Sequence, residues 1–591
     1  MVGNTSSFAL SELSSDPSTA RPRQCYKTRQ CTENLRHWLP SFFSVMWPPK
    51  AFCLASVLWP AAAQAYIWPN PAYDTLEDYY TVSSGFGDSG GIVDEVTPCS
   101  LSPASGSTPG RQNAAEWLRT AYHDMATYDS TTGLGGLDGS ITFETDRPEN
   151  IGTAFNTTAL FFAPLSTNRV SFSDTLALGV ILAIKNCAGP NIPFRPGRID
   201  ATEAGPPGVP QPQESLETHI AEFARQGFNA TEMIALVACG HTLGGIHQID
   251  FPQSVQGAIT NDNPEGVVHF DDTFDVYDNH IATQYLNNSS VDQLIVGFNS
   301  ATNSDAAIFA SDGNQTMREF AESNDAFLSR CGDLLERMLN TVPSSVQLGD
   351  VMEPLPVKPY QLSLFFNATG GLELSGYIRI FGTSAEAAAA NPANMPVQLV
   401  WTDRHGTTSP GYSTTGVGSD FLEATSIFGS VQFFSVDAFI DPSAGISSFV
   451  VDWAYDMQSA LTTADNGGGG FPLQDVVLFQ HAGSCHGAVN QNSTINTVIR
   501  NDMGAVSSAY VDYSYSTNQE GSIAFKYVTI RAELVHTGNS PSPLYDTYTA
   551  TFVANDGFLT LDASIVSYDL TAVVGGTTYQ SLDNPQLFTP C

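Results

Sequence analysis

Apolar residues recur at helical spacing through much of the first half of the chain. From about residue 113 to residue 340 they follow an i, i+3, i+4, i+7 pattern, which predicts amphipathic helices. The clearest segments are AAEWLRTAYHDM, SDTLALGVILAIKNC, TEMIALVACGHTLG, NQTMREFAESNDAFLSRC and GDLLERMLN. Asn229 followed by Glu232 has the form of a capping box, so we expect a helix over 231–240.

After Pro354 the pattern changes to short alternating segments rich in β-branched and aromatic residues. Runs such as LELSGYIRIFG, SVQFFSVDAFI and IAFKYVTIRAELV are separated by turns of Gly, Asn, Ser and Pro. No helical crossovers separate them, which favours an antiparallel sandwich. We therefore predict a multidomain protein, with a mainly α-helical domain over 66–350, a linker over 351–359 and an all-β, sandwich-like domain over 360–591.

The composition excludes two classes of partner. The chain has 591 residues, with 23 Lys and Arg against 60 Asp and Glu, and its formal net charge is −37. A protein this acidic has no electrostatic attraction to nucleic-acid phosphates or to anionic membrane surfaces. Hydrophobic residues make up 42% of the chain and charged residues only 14%, which is typical of a folded protein and not of a disordered acidic one.

An apolar run near the N-terminus has the form of a secretory signal peptide. Residues 51–65, AFCLASVLWPAAAQA, follow Lys50 and end in an Ala-x-Ala cleavage pattern, and the run is too short to span a bilayer. Because signal peptides begin at the initiator methionine, we expect Met46 to start a signal peptide over 46–65. Residues 1–45 are then an upstream extension absent from the mature protein. The alternative is an internal hydrophobic segment of a cytosolic protein.

Sequons and cysteines agree with a secreted, extracellular protein. After residue 65 six cysteines remain, an even number that suggests disulfides, although six cysteines allow fifteen pairings. The N-x-Ser/Thr pattern of a glycoprotein occurs at Asn156, Asn229, Asn287, Asn288, Asn314, Asn367 and Asn492.

Two histidines are candidates for chemistry in the helical half. Arg119 and His123 are four residues apart in a predicted helix, so they share one helix face. His241 ends an apolar helix within ALVACGHTLG, where small residues leave room for a flat ligand beside the imidazole. A single histidine in such a place is more often a core residue, so neither signal is decisive alone.

Together, R119-x-x-Y122-H123-D124 and ALVACGHTLG resemble the distal and proximal haem signatures of the plant-type haem peroxidase superfamily, in particular its secreted fungal branch. The resemblance covers about residues 110–340. Further elements of the family pattern follow in order along the chain: LDGS at 137–140 (distal calcium loop), Glu144 and Asn150 (distal Glu and Asn), GRID at 197–200, PQP at 210–212 (haem edge), residues 270–278 (proximal calcium segment), and Ser311 with Asp312 (proximal aspartate).

The resemblance implies a haem b cofactor and a set of residues that hold it. His241 is the expected axial ligand of the haem iron, and Asp312 is expected to accept a hydrogen bond from its other ring nitrogen. Tyr122, Phe270 and Pro210 are further residues expected beside the cofactor.

The resemblance also implies a catalytic set on the opposite side of the haem. His123 would take a proton from hydrogen peroxide and return it to the leaving oxygen, acting first as base and then as acid. Asn150 would accept a hydrogen bond from His123 and keep its other nitrogen free for this role. Arg119 would stabilise the charge that develops as the O–O bond breaks.

Two Ca²⁺ ions are implied in the same way, since oxygen ligands at short spacing suit this hard cation. The alternative is that these residues only cap helices and form turns, which Asp, Ser and Thr favour in any protein. The expected ligands are Asp124, Gly136, Asp138 and Ser140 for the distal ion, and Thr242, Asp271, Thr273, Val276 and Asp278 for the proximal ion.

Several substrate options of the family lack their residues here. Phe270 stands where intracellular relatives carry a radical-bearing tryptophan, and Leu236 stands where lignin-attacking relatives place a surface tryptophan. Of the three carboxylates used by manganese-oxidising relatives only Glu116 is present, because Gln112 and His247 fill the other places. We therefore expect a peroxidase that reduces hydrogen peroxide and oxidises small phenols or similar donors by one-electron steps at the haem edge.

The family pattern also bears on the cysteines. Cys187 matches a cysteine of the fungal branch, so Cys99 with Cys187 is the favoured pair. Cys239 is either a buried thiol or half of a disulfide, and Cys331 is one candidate partner.

No part of residues 360–591 resembles this superfamily. His481, Cys485 and His486 have metal-ligand chemistry, but a loop with one disulfide is favoured, since no second Cys/His cluster completes a zinc site. We expect an accessory domain for cell-wall or glycan contact or for domain packing. The alternative function is a non-catalytic extracellular glycan- or cell-wall-binding protein with a degenerate peroxidase scaffold. The candidate sugar-binding aromatics are Trp401, Tyr412 and Tyr513, but aromatics at this spacing are more often core residues or cross-strand pairs.

Overall fold

A computed structural model describes residues 66–102, 110–367, 369–487, 491–553, 567–585 and 590–591. The predicted upstream extension and signal peptide, residues 1–65, lie outside the described residues. None of the described helices combines the length and the apolar composition that a bilayer-spanning helix needs.

The first half of the described chain is mainly helical and contains three short strands. Its strands are β1 (Ser84–Gly85), β2 (Gly245–His247) and β3 (Val267–His269). Its helices are α1 (Asp74–Thr81), α2 (Asn113–Met125), α3 (Ala154–Phe162), α4 (Phe172–Asn186), α5 (Leu216–Arg225), α6 (Ala230–Gly240), α7 (His280–Leu286), α8 (Gln293–Val296), α9 (Ser304–Ala310), α10 (Gln315–Glu322) and α11 (Asn324–Leu339).

Local sequence signals explain where these helices begin and which of them is central. The Asn229–Glu232 capping box forms as predicted, because each side chain accepts a hydrogen bond from the other residue's backbone N–H and α6 starts at Ala230. Helix α4 is apolar on nearly all sides and is buried from Phe172 to Ile184. It forms the centre of the helical core, as expected for a helix without a polar face.

The second half is built almost entirely of strands. Its described helical elements are one short α-helix, α12 (Ala385–Ala389), and two three-residue 3₁₀ turns at Pro392–Asn394 and Asp420–Leu422. The strands are β4 (Val357–Phe366), β5 (Leu372–Gly382), β6 (Val397–Thr402), β7 (Thr408–Thr415), β8 (Ala424–Thr425), β9 (Ser430–Ile440), β10 (Ser448–Trp453), β11 (Thr462–Ala464), β12 (Phe471–Pro472), β13 (Val477–Cys485), β14 (Asn492–Arg500), β15 (Val506–Asn518), β16 (Phe525–Glu533), β17 (Val535–His536), β18 (Tyr545–Val553), β19 (Ser567–Val574) and β20 (Thr577–Pro585).

These strands confirm the predicted sandwich-like class, and they form two sandwiches where one was expected. Sheets β4–β5–β9 and β11–β10–β6–β7 share one apolar core, with β12 added beside β10. Sheets β13–β14–β18–β17 and β16–β15–β19–β20 share a second core. Neighbouring strands in these four sheets pair antiparallel, as the absence of helical crossovers predicted.

Three disulfides join the described segments. Cys99 bonds Cys187, and Cys239 bonds Cys331, so both pairs suggested for the helical half are confirmed. Cys485 bonds Cys591, which confirms a disulfide loop in place of a metal site at 481–487.

The structure corrects the predicted linker at 351–359. Strand β4 already begins at Val357, and the side chains of Met352 and Lys358 are buried. Lys358 is buried because its ammonium group pairs with Glu77 and Asp78 of α1, both at 2.8 Å. Arg379 of β5, also fully buried, pairs with the same two carboxylates. The segment is therefore a docked connection between helical and β elements.

Glu77 is the anionic centre of this network, and its loss should destabilise the fold. Burial opposes its charge, but Arg379 and Lys358 more than offset that cost and lower its pKa to about 2. Glu77→Gln would leave two buried cations with one carboxylate, so we expect the free energy of unfolding to fall by about 3–5 kcal/mol.

Denaturant unfolding at neutral pH measures this change, with the exposed Glu353→Gln as the matched control that should stay within about 0.5 kcal/mol of wild type. Because the pKa of Glu77 lies below its unfolded value, its contribution is present at neutral pH and is lost as the pH falls from about 4.5 toward 2. Equal unfolding free energies for both variants would contradict the assignment.

Candidate functional site

A cavity of about 250 Å³ opens between helices α2 and α6. Arg119, Tyr122 and His123 reach it from α2, and His241 reaches it from the end of α6. The other predicted cofactor-lining residues, Phe270 and Pro210, also line it. The structure therefore brings residues predicted from four separate segments to one cavity.

On one side of the cavity, His123 is held by an amide. Its Nδ1 lies 2.8 Å from Asn150 Oδ1, and Asn150 Nδ2 donates to the backbone carbonyl of Glu144 at 2.9 Å. Because the Asn150 amide group is oriented by that second bond, its oxygen accepts from His123 Nδ1–H. Nε2 is then the unprotonated nitrogen, which is the tautomer that a base requires.

Burial and charge keep this histidine neutral. Burial, followed by the positive charge of Arg119, lowers the pKa of His123 to about 3, although the Asn150 hydrogen bond acts in the opposite direction. Burial also lowers the pKa of Arg119, to about 10, so the guanidinium is still cationic at neutral pH. It lies 4.6 Å from the centre of the Phe155 ring and donates to Ile151 O at 2.9 Å. The cavity thus pairs a neutral base with a fixed cation.

On the other side, His241 is fixed by a carboxylate and an aromatic ring. Its Nδ1 lies 2.6 Å from Asp305 Oδ2, and its ring stacks on Phe270 with centroids 4.3 Å apart and planes 7° from parallel. Since Nδ1 is engaged, Nε2 is the nitrogen available to a ligand in the cavity. Asp305 stands in the first turn of α9, which packs against α6.

The prediction that Asp312 accepts the hydrogen bond from His241 is wrong. Asp312 lies beyond the C-terminal end of α9, and its carboxylate accepts from the backbone N–H groups of Gln315 and Thr316 at the start of α10. The sequence contains two Ser-Asp pairs seven residues apart, at 304–305 and 311–312, and the first carries the carboxylate that reaches His241. The two Ser-Asp pairs can be distinguished only by how α9 packs against α6.

A second carboxyl behind Asp305 was not predicted. Asp292 is fully buried, and its Oδ2 has no hydrogen-bond partner among the described residues. Burial, and then the charge of Asp305, raises the pKa of Asp292 well above its ordinary value. Asp292 precedes α8, so no local pattern in the sequence connects it to His241.

Glu116, the one carboxylate of the predicted manganese set that is present, is paired with an internal cation. Arg111 pairs with Glu116 at 3.2 Å, Asp250 at 3.1 Å and Glu265 at 2.6 Å. His247 Nδ1 lies 3.0 Å from the same Glu265 carboxylate. Glu116, Asp250 and Glu265 therefore already share a buried guanidinium as an ion-pair partner.

The predicted distal calcium ligands are engaged with the backbone. Asp124 accepts from the N–H groups of Gly139 and Ile141 at 2.7 and 2.8 Å, and Asp138 accepts from Ser140 N–H at 3.1 Å. Gly136 adopts φ +118, and a side chain there would meet the Thr341 carbonyl. These contacts bring the loop's carboxylates together. Hydrogen bonding to the backbone is by itself sufficient to account for Asp124 and Asp138 in this loop.

The predicted proximal calcium ligands leave one oxygen unused. Asp271 Oδ2 is buried without a hydrogen-bond partner among the described residues. Thr273 Oγ1 donates to Asp278 Oδ1 at 3.0 Å, and Thr242 Oγ1 donates to the backbone carbonyl of Asp278 at 2.6 Å. An unpaired carboxylate oxygen among hydroxyl and carbonyl oxygens suits a hard cation. Val276, the remaining predicted ligand, lies in the same turn, where its N–H donates to Thr273 O.

The candidate sugar-binding aromatics of the β half belong to its cores. Trp401 and Tyr513 are only 4% and 3% exposed. Tyr412 stacks on Trp401 with ring centroids 5.8 Å apart. These residues therefore do not form an open aromatic face.

Comparison with known proteins identifies one domain in this chain. The family model described as Peroxidase matches residues 104–324. L-ascorbate peroxidase 5, peroxisomal, of Arabidopsis thaliana is 37% identical over 140 residues, which are 23% of this chain and 50% of that protein. Cytochrome c peroxidase, mitochondrial, of Neurospora crassa is 34% identical over 136 residues, which are 22% of this chain and 38% of that protein.

A longer match extends beyond that domain. A WSC domain-containing protein of Arthroderma benhamiae is 38% identical over 420 residues, which are 69% of this chain and 54% of that protein. The chain spans about half the length, or less, of the curated relatives that it matches.

Proposed function

Because the chain contains a peroxidase family domain of the plant peroxidase superfamily, we propose that it is a haem peroxidase that reduces hydrogen peroxide and oxidises small phenols or similar donors. One observation carries the proposal. His123, held by Asn150, and His241, held by Asp305, line a single cavity. The first pair suits proton transfer, and the second suits an iron ligand.

The cavity residues fit a haem b group. His241 offers Nε2 to the cavity while Asp305 accepts from Nδ1, which is the arrangement that strengthens a metal-binding imidazole. Gly240 and Gly244 line the cavity beside it, and most of the lining is apolar. Tyr122, Phe270 and Pro210 would border the group. When bound, haem supplies the redox chemistry that links peroxide reduction to one-electron oxidation of donors.

The chain's own residues would manage the protons and the charge. His123 Nε2 accepts the proton of the peroxide oxygen that binds and delivers it to the oxygen that leaves as water. Asn150 holds the ring in the required tautomer. Arg119, cationic at neutral pH, stabilises the negative charge on the leaving oxygen.

Asp305→Asn should reduce the rate of reaction with peroxide by about 10–100-fold, because an amide is a weaker acceptor for His241 Nδ1–H. The haem reduction potential should rise as well, since a weaker donor stabilises oxidised iron less. Asp312→Asn is the matched control, since its carboxylate caps α10 and does not contact His241. Stopped-flow kinetics and a redox titration measure both effects. A larger effect of Asp312→Asn on the potential would reverse the assignment.

Two calcium ions belong to the same proposal, at the distal and proximal segments described above. The unpaired Asp271 oxygen supports the proximal ion more directly than any contact supports the distal one. Thr242 follows His241 in the chain, so a proximal ion would help to fix the iron ligand. Metal analysis that finds no calcium in active protein would refute it.

The nature of the donor is the finer part of the proposal. Relatives are named for ascorbate and for cytochrome c, so both are alternatives to a phenol here. With hydrogen peroxide, we expect the highest kcat/KM for a small phenol and little oxidation of Mn²⁺, because Glu116 and its neighbouring carboxylates are already engaged in ion pairs with Arg111. Steady-state assays of phenol, ascorbate, reduced cytochrome c and Mn²⁺ compare them. Preferred oxidation of Mn²⁺ would contradict this donor class.

We also propose that the protein is secreted and extracellular. Three disulfides within the described chain suit an oxidising compartment. Asn156, Asn229, Asn287, Asn288 and Asn492 are exposed sequon residues available for glycosylation. N-terminal sequencing of the secreted protein should start near Tyr66, and a mature protein that retains residues 1–45 would contradict the proposed leader.

A second candidate function is extracellular binding without catalysis, with cell-wall or glycan contact through the β half. It is favoured by the WSC domain-containing relative, whose 420-residue match is longer than the peroxidase domain. Colourless, folded wild-type protein that binds cell-wall glycans would favour this candidate over the enzyme.

A further inference from the structure

Three side chains with metal-ligand chemistry meet at the rim of the cavity, outside the residues used above. They are Glu214, His219 and Glu222, and one ligand atom from each lies within 4.8 Å of the other two. His219 and Glu222 are three residues apart on α5, so they share one helix face. Glu214 immediately precedes Ser215, the residue that caps α5.

Three polar atoms of this cluster, both ring nitrogens of His219 and Oε2 of Glu222, have no hydrogen-bond partner among the described residues. His219 is only 2% exposed, and neither of its ring nitrogens makes a hydrogen bond to any described residue. Glu222 Oε2 is likewise buried without a partner. Folded proteins satisfy nearly all buried polar groups, so an unpaired imidazole beside an unpaired carboxylate oxygen indicates a ligand.

We propose that Glu214, His219 and Glu222 bind a divalent first-row transition metal such as Zn²⁺. Two carboxylates balance its charge, and the imidazole favours such a metal over Ca²⁺, which prefers oxygen ligands. Atoms within 4.8 Å of one another lie at most about 2.8 Å from a common centre, and small side-chain movements reach the zinc–ligand distance of about 2.0–2.2 Å. A water molecule would complete a four-coordinate site.

The cluster is connected to the wall of the cavity. His219 lines the cavity itself, and Gln211 N–H donates to Glu214 Oε2 at 2.7 Å. Residues 210–212 line the cavity as well. A bound metal would therefore tie the segment over 210–214 to α5 at the cavity rim. This site shares no ligand with the proposed calcium sites and does not depend on the proposed peroxidase activity.

Isothermal titration of the purified holoprotein with ZnCl₂, in excess CaCl₂ to fill oxygen-only sites, tests the proposal. The wild type should bind one zinc equivalent that His219→Gln and Glu222→Gln lose or bind at least about tenfold more weakly. Glu217→Gln is the matched control, because Glu217 is an exposed carboxylate in the first turn of the same helix. Melting temperatures and Soret absorbance establish that each variant is folded and retains haem.

Anomalous scattering at the zinc edge then locates the ion, which should lie beside His219 and both carboxylates. Equal zinc stoichiometry and affinity in all four proteins would overturn the proposal. So would a Soret shift in His219→Gln without any change in zinc binding, because His219 would then contact the haem. Zinc located only at other residues would also overturn it.

Discussion

His123→Ala should slow the reaction with hydrogen peroxide by about 100- to 10,000-fold while haem stays bound, because the variant lacks the base that accepts the peroxide proton. His123 lines the cavity, and its hydrogen bond from Nδ1–H to the Asn150 amide oxygen leaves Nε2 unprotonated and available as the base. Its pKa, lowered to about 3 by burial and by Arg119, keeps wild-type His123 unprotonated at neutral and mildly acidic pH. The deficit should therefore persist from about pH 5 to pH 8.

Stopped-flow absorbance at the Soret band measures this rate directly. His405→Ala is a suitable control, since His405 is an exposed histidine of the β half far along the chain from the cavity residues. It should react at the wild-type rate. A wild-type rate in His123→Ala would refute the assignment of the base.

His241→Ala should purify with little haem, at least about tenfold less Soret absorbance per protein than wild type, because the variant lacks the cavity imidazole that Asp305 holds beside Phe270. The truncation leaves space where the ring stood, so added imidazole should restore part of the haem binding. Asp305→Asn, which keeps the imidazole, should retain its haem. Haem content equal to wild type in His241→Ala would show that another residue holds the iron.

The helical spacing and the strand alternation predicted the fold class well because both depend on local periodicity. The capping box at Asn229 fixed the start of α6 to within one residue of the prediction. The division of the β half into two sandwiches was not predictable in the same way. Which sheets face each other depends on contacts between distant strands, and alternation shows only that each strand has a buried face.

Candidate site residues could be predicted where the family pattern is a short, local motif. Where the pattern fits more than one place in the sequence, the assignment was ambiguous. Arg119, His123 and His241 stand in short motifs, and the structure places all three on one cavity. The proximal carboxylate was assigned to Asp312 because two Ser-Asp pairs fit the pattern, and only packing of α9 against α6 selects Asp305.

Other features have no local sequence signal at all. Glu77 meets Lys358 and Arg379 across about 300 residues of chain, and Arg111 meets Asp250 across 139. In the sequence, nothing distinguishes His219 from other residues of a predicted helix, and its unpaired nitrogens become evident only in the structure. These contacts join charged residues that are far apart in the sequence. The periodicity of apolar residues carries no information about such contacts, so the three-dimensional structure is needed to find them.

The acidic composition has a partial explanation in these contacts. Several carboxylates hold internal cations, as Glu77 does for Arg379, or accept backbone N–H groups, as Asp124 and Asp312 do. These few groups leave most of the net charge of −37 on other residues. That excess charge favours solubility.

The absorption spectrum of the purified wild-type protein, before and after one equivalent of hydrogen peroxide, tests the central claim most directly. A haem peroxidase should show a Soret band that shifts on adding peroxide and returns when a small phenol is supplied. Folded protein without a Soret band, or a Soret band that peroxide leaves unchanged, would contradict the claim.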